Sequence, residues 1–154
     1  FREDLGSLTI PCPGTSGNCQ VRLERAHINR AELLLQPVAG SPGFLPEDTT
    51  VLQARTLLTS PGVPLQRSPI GNAIGTSDLV APSLFVQPVA SAPVAVNLTN
   101  HIIGLTDEDI EDDNRPSFNM VLHAAGEPVT FGFASFARSP KLRLVITAPV
   151  ERAQ

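Results

Sequence analysis

The chain has 154 residues, 42% hydrophobic and 17% charged, a globular composition of single-domain size and too apolar for a disordered tail. Its net charge of −4, with the 11 basic residues dispersed rather than in runs, argues against a nucleic-acid binder. There is no Trp and no Tyr, and no apolar run approaches the roughly 20 residues of a membrane helix, so no membrane insertion is expected.

The start at Phe1 reads either as a mature product after signal-peptide removal or as a segment of a longer chain. The first predicted strand is Leu5–Ile10. Cys12 and Cys19 then bracket Pro13-Gly14-Thr15-Ser16-Gly17-Asn18, which is turn composition throughout. A disulfide here would close a tight loop and contribute roughly 2.5 kcal/mol, and it implies an oxidising compartment. Free buried thiols and half of a metal site are the alternatives. Zinc needs four ligands, and His27, His101 and His123 are scattered.

Short apolar runs separated by Pro and Gly recur at sandwich or barrel spacing. They predict strands over Cys19–Arg25, Asn29–Gln36, Thr49–Leu57, Ser83–Val89, Val94–Leu98, Phe118–Ala124, Pro128–Phe136 and Lys141–Thr147. Alternation is cleanest in the last, where Leu142, Leu144 and Ile146 share one face. Phe118, Met120 and Leu122, then Phe131 and Phe133, repeat that period. One helix is predicted from Thr99 to about Ile110, capped by Thr99 or Asn100. The stretch from Gly40 to Pro93 is rich in Pro and Gly; Ser60-Pro61-Gly62 and Ser68-Pro69-Ile70-Gly71 mark loops in it.

Few residues gather into a chemical constellation. Asp107 to Asp113 holds six carboxylates in seven residues, and Asp107, Asp109, Glu111 and Asp113 alternate as calcium ligands would. The EF-hand pattern fails, since Asp112 stands where Gly is required. A solvated acidic loop is the default reading, and a structural calcium, the sole cofactor considered, is the alternative. Asn97-Leu98-Thr99 is a glycosylation sequon at a strand end. No Gly-x-Ser-x-Gly occurs, and His123 reads as a strand-surface histidine. Glu24, Glu32, Asp78 and Glu127 lack the aromatic surroundings of a sugar-cleaving cleft. No enzyme is indicated. Phe118, Phe131, Phe133 and Phe136 fall on inward-looking periods, which leaves Phe44 and Phe85 as candidate ligand contacts.

Ile28-Asn29-Arg30-Ala31-Glu32-Leu33-Leu34-Leu35 is similar to the "I-x-x-A-x-L-x-L" strand of the DNRLRE-type extracellular modules. Phe131-Gly132-Phe133-Ala134-Ser135-Phe136 followed by Ser139 to Thr147 resembles the ending of that family, and Val94 to Ile103 its strand-then-helix element. A related group consists of bacterial surface lipoproteins. The resemblance implies a jelly-roll-like β-sandwich of a surface or secreted protein, often beside polysaccharide-acting domains. The usual terminal aromatic is replaced by Thr147-Ala148, and the central Trp is missing.

The expectation is one all-β domain over residues 1–154: an antiparallel, jelly-roll-like β-sandwich with one short helix, residues 1–18 forming an N-terminal segment with the disulfide loop. The expected function is a non-enzymatic extracellular structural protein, a surface-filament or adhesive-assembly subunit. Leu5, Leu8 and Ile10 would add as a strand to a neighbour, by self-association into a homopolymer or by contact with other surface proteins. Pairing of that segment within its own domain is the competing expectation. The alternative function is a carbohydrate-binding accessory module of a larger secreted protein.

Overall fold

The computed structural model describes residues 8–11, 20–39, 46–58, 64, 68–86, 93–107, 109, 119–125 and 134–147. Strands β1 (Thr9–Pro11) and β2 (Gln20–Arg22) pair as a small antiparallel ribbon, and the 3-10 turn Leu23–Arg25 follows. Then come β3 (His27–Leu35), β4 (Thr50–Leu57), β5 (Ile70–Val80), the four-residue helix α1 (Ser83–Val86), β6 (Val94–Asn97), helix α2 (Thr99–Thr106), β7 (Met120–Ala124) and β8 (Lys141–Thr147).

The last six strands form one sheet in the order β7-β4-β5-β6-β3-β8, antiparallel at every junction. Strands β4, β5 and β6 are consecutive neighbours and β3 closes beside β6, which is a Greek-key order. The fold is all-β and sandwich-like.

Alternation decides which face is buried. In β3, Ile28, Ala31 and Leu35 are buried, while β8 alternates exposed and half-buried with Leu142, Leu144 and Ile146 inward. Register brings these together: Ala31 opposes Leu144, Leu33 opposes Leu142 and Ile28 opposes Ile146. The opposite layer of the core comes from the 3-10 turn, the helices and their approaches. Leu23, Phe85, Leu98, Ile102 and Leu105 are all buried in the same cluster as Val94 and Val96 of β6. Phe85 meets the half-buried Phe136 edge to face, with ring centroids 5.5 Å apart at 80°.

The β4–β5 pair carries three register shifts. Side chains fill the gaps that these leave in the ladder. The Leu52 N–H donates to Ser77 Oγ at 2.9 Å, and Arg55 Nε donates to the Gly71 carbonyl at 2.8 Å.

Three elements differ from the sequence reading. Strand β5 was not anticipated, because Gly71, Asn72, Gly75, Ser77 and Asp78 give it turn composition; pairing on both sides overrides that preference. The expected strand at Ser83 is instead α1, launched from Pro82, whose carbonyl accepts from Phe85 N–H at 3.0 Å. Helix α2 ends at Thr106, whose hydroxyl bonds back to the Ile102 carbonyl at 3.0 Å, rather than running to Ile110. Neither Thr99 nor Asn100 caps it. Asn97 Oδ1 accepts the Thr99 N–H at 3.0 Å, so the helix entrance is held by the preceding strand end.

Gly75 sits where β5 and β6 approach most closely, and a Cβ there would collide with the Asn97 carbonyl oxygen and the Leu98 side chain. At Gly71 a Cβ would meet only the side chains of Thr56 and Leu58. Gly75→Ala is therefore expected to cost about 1–3 kcal/mol, and Gly71→Ala clearly less, as read from urea midpoints. Equal costs at the two sites would refute the backbone collision.

Candidate functional site

Directly paired residues of an antiparallel sheet point their side chains to the same face. The register pairs His123 with Gln53, Gln53 with Thr76, Thr76 with Asn97, Asn97 with Glu32, and Glu32 with Arg143. These residues form one polar row across all six strands, on the face opposite the apolar core. Five inter-strand steps of about 4.8 Å make the row roughly 24 Å long.

Glu32 is the centre of charge on this face. It is only 2% exposed, yet the groups over it are the guanidiniums of Arg30 and Arg143, 62% and 54% exposed. Arg30 Nη2 lies 2.6 Å from Oε1. Arg143 donates to Oε2 from Nε at 2.8 Å and from Nη2 at 2.5 Å. Burial pushes the Glu32 carboxyl up, but the hydrogen bonds and charge of Arg143, with the charge of Arg30, outweigh it and hold the pKa below the usual glutamate value.

The rest of the row is neutral. Asn97 and Thr76 are exposed, and Gln53 and His123 half-buried. Asn97 Oδ1 also accepts the Thr99 hydroxyl at 2.7 Å, so its amide is held in place with the NH2 group remaining as donor. His123 Nδ1 lies 3.0 Å from the Ala124 carbonyl oxygen, while its Nε2 is buried with no hydrogen-bond partner.

The residues singled out from the sequence fare differently. Phe85 is 1% exposed and is a core residue, not a ligand contact; in α1 its ring turns inward onto Phe136. Phe44, Leu5, Cys12 and Cys19 lie outside the described residues, although the β1–β2 ladder ends at Pro11 and Gln20, their sequence neighbours. Leu8 is 51% exposed and its carbonyl accepts the Leu23 N–H, while Ile10 is half-buried and pairs with Val21 of the same chain. Of the acidic set, Asp107 follows α2, and its Oδ1 accepts the Asp109 N–H at 3.0 Å; Glu111 and Asp113 lie outside the described residues. Among the described residues, no three His, Cys, Asp or Glu gather as metal ligands. The sequon residue Asn97 is exposed at the end of β6.

No family model, curated protein or solved structure matches the chain. The likeness to the DNRLRE-type modules thus rests on the quoted segments alone. Among the described residues no helix is long and apolar enough to cross a membrane, which says nothing of a β-barrel.

Two predictions follow from these placements. With a folded pKa below its unfolded value, Glu32 contributes stability that is complete above about pH 4.3 and is lost as pH falls through the folded value. Urea midpoints should therefore drop on acidification in the parent chain, and Glu32→Gln should flatten that slope; an unchanged slope would sink the assignment. Phe85→Ala should cost about 3–5 kcal/mol by leaving a cavity. A stability loss below about 1 kcal/mol would return Phe85 to the surface role.

Proposed function

We propose that this chain is a non-enzymatic extracellular structural protein, a surface-filament or adhesive-assembly subunit whose copies join by β-strand addition. The observation that carries the reading is β8. This seven-residue strand is bonded to β3 on one side and, among the described residues, to no strand on the other. It runs in step with β3 from Lys141 to Val145, has no Pro, and carries the exposed Val145, so Lys141 and Arg143 are its principal protection against pairing.

The donor in this reading is the segment Leu5, Leu8 and Ile10, close to β8 in length. In its own chain Thr9–Pro11 pairs with β2 through only three residues, and a two-stranded ribbon is marginal by itself. Glu3 and Asp4, ahead of the donor, are opposite in sign to Lys141 and Arg143 of the acceptor. A strand of one copy added to the β8 edge of the next is a head-to-tail contact that does not close on itself, so it generates a fibre. The extracellular setting is inferred from the Cys12 and Cys19 spacing.

Negative-stain electron microscopy with light scattering across a concentration series tests the reading. The full chain should form filaments, and deletion of residues 1–10, which also removes the short β1–β2 pairing, should leave an unpolymerised chain that still unfolds cooperatively in urea. A full chain that stays monomeric at every concentration, or filaments that survive the deletion, would sink it.

A further inference from the structure

We propose that the chain forms a two-fold dimer through β7, whose free edge pairs antiparallel with β7 of a second copy about Leu122. This contact lies at the end of the sheet away from β8 and does not depend on assembly there.

Backbone direction is the first argument. Strand β7 is bonded to β4 on one side and, among the described residues, to no strand on the other. The Asn119 carbonyl accepts the Leu57 N–H at 2.8 Å, and the Ala125 N–H donates to the Val51 carbonyl at 2.7 Å. Positions 119 and 125 thus aim their backbone groups at β4, and the two-residue period gives Val121 and His123 the same direction. Met120, Leu122 and Ala124 then aim their N–H and C=O groups at the open edge. The His123 ring reaches one of these groups, with Nδ1 lying 3.0 Å from the Ala124 carbonyl oxygen, which keeps a second lone pair.

Self-complementarity is the second. An antiparallel pair centred on Leu122 sets Leu122 against its own copy and Met120 against Ala124. These are the residues whose groups point outward, so one register satisfies every open donor and acceptor of both strands. A register displaced by one residue would set Val121 and His123, already bonded to β4, against them. Met120 and Leu122 pack against the core on the inner face. The two-fold axis stands perpendicular to the sheet, so the apolar layers of the two copies lie side by side.

Charge is the third. Edge strands are kept apart by charged side chains, Pro or bulges. Met120–Ala124 has no Asp, Glu, Lys, Arg or Pro, and its register with β4 is unbroken. Strand β8 carries Lys141 and Arg143, so two β8 edges brought together would crowd like charges, whereas two β7 edges crowd none. In a chain of net charge −4, this neutral edge is where a second copy approaches without repulsion at the contact. All five residues of β7 are half-buried, and a partner strand completes their burial.

Sedimentation velocity of the full chain over a concentration series, with residue-resolved amide hydrogen exchange, tests the contact. A dimer should appear as concentration rises, and any fibres joined at β8 sediment apart from it. Exchange at Met120, Leu122 and Ala124 should slow at least about tenfold from dilute to concentrated samples, and Val121 and His123 should change less. Val121→Glu places a carboxylate opposite Arg55 of the same chain, so cooperative unfolding in urea should persist while the dimer weakens at least about tenfold. Val121→Thr should leave the dimer intact. Absence of a dimer at every concentration, a dimer that survives Val121→Glu, or slowing confined to other amides would each overturn the proposal. If Val121→Glu fails to fold, the exchange series on the parent chain decides. Dimers without fibres would support this contact and count against the β8 reading alone.

Discussion

Four residues of β6 hold this sheet together. Val94–Asn97 lies between β5 and β3, and so joins the half made of β7, β4 and β5 to the half made of β3 and β8. With β3 it shares four paired positions, with β5 only two, Thr76 and Ser77. That narrow junction explains why a glycine stands at 75, where the Asn97 carbonyl leaves no space for a side chain. It also explains the reinforcement that follows β6. Leu98 N–H donates to the Ala31 carbonyl at 2.8 Å, and Thr99 Oγ1 accepts the Ala31 N–H at 3.0 Å, extending the grip on β3 by side-chain means after the strand has ended. Buried Val96 and Leu98 then fasten the same segment to the core.

The same junction makes the polar face continuous. Asn97 is the residue through which the neutral side of the row, Thr76 and Gln53, meets the charged side, Glu32 and Arg143. Its side chain is locked by Thr99, so the middle of the face is rigid for a local reason: a strand end and a helix entrance share one hydrogen-bonded turn. Assembly at the β8 edge would therefore set a neighbouring chain beside this face of the sheet. Arg143, paired with Glu32, stands at the boundary between edge and face.

Much of the fold was legible from period alone. The alternation of Lys141–Thr147 marked β8, which has one solvated and one inward face, and the apolar run within Asn29–Gln36 marked β3. Strand β5 was not legible, since a strand clasped by β4 and β6 can carry glycines and polar residues that no isolated strand would favour. Phe85 was misplaced for a related reason. An aromatic in a Pro-rich stretch reads as exposed, yet four helical residues sufficed to turn it onto Phe136. The polar row was invisible in principle: its members lie at positions 32, 53, 76, 97, 123 and 143, and only the register of non-consecutive strands aligns them.

Glu32 has a structural consequence of its own. A slip of one residue in the pairing of β3 would move Ala31 to the outer face and drive Glu32 into the apolar layer, either between Leu142 and Val96 or opposite Leu144. An unpaired carboxylate there is far costlier than the loss of a methyl group, so the sheet is specified against that slip from its centre. The two arginines act in the correct register alone, since Arg30 shares the outer period of β3 and Arg143 is the direct partner of Glu32 on β8. Both guanidiniums are more than half exposed, so the stabilisation from each pair is modest beside the core. What they add is discrimination: one arrangement of the β3–β8 pair satisfies the carboxylate, and the neighbouring arrangement leaves it buried without a cation.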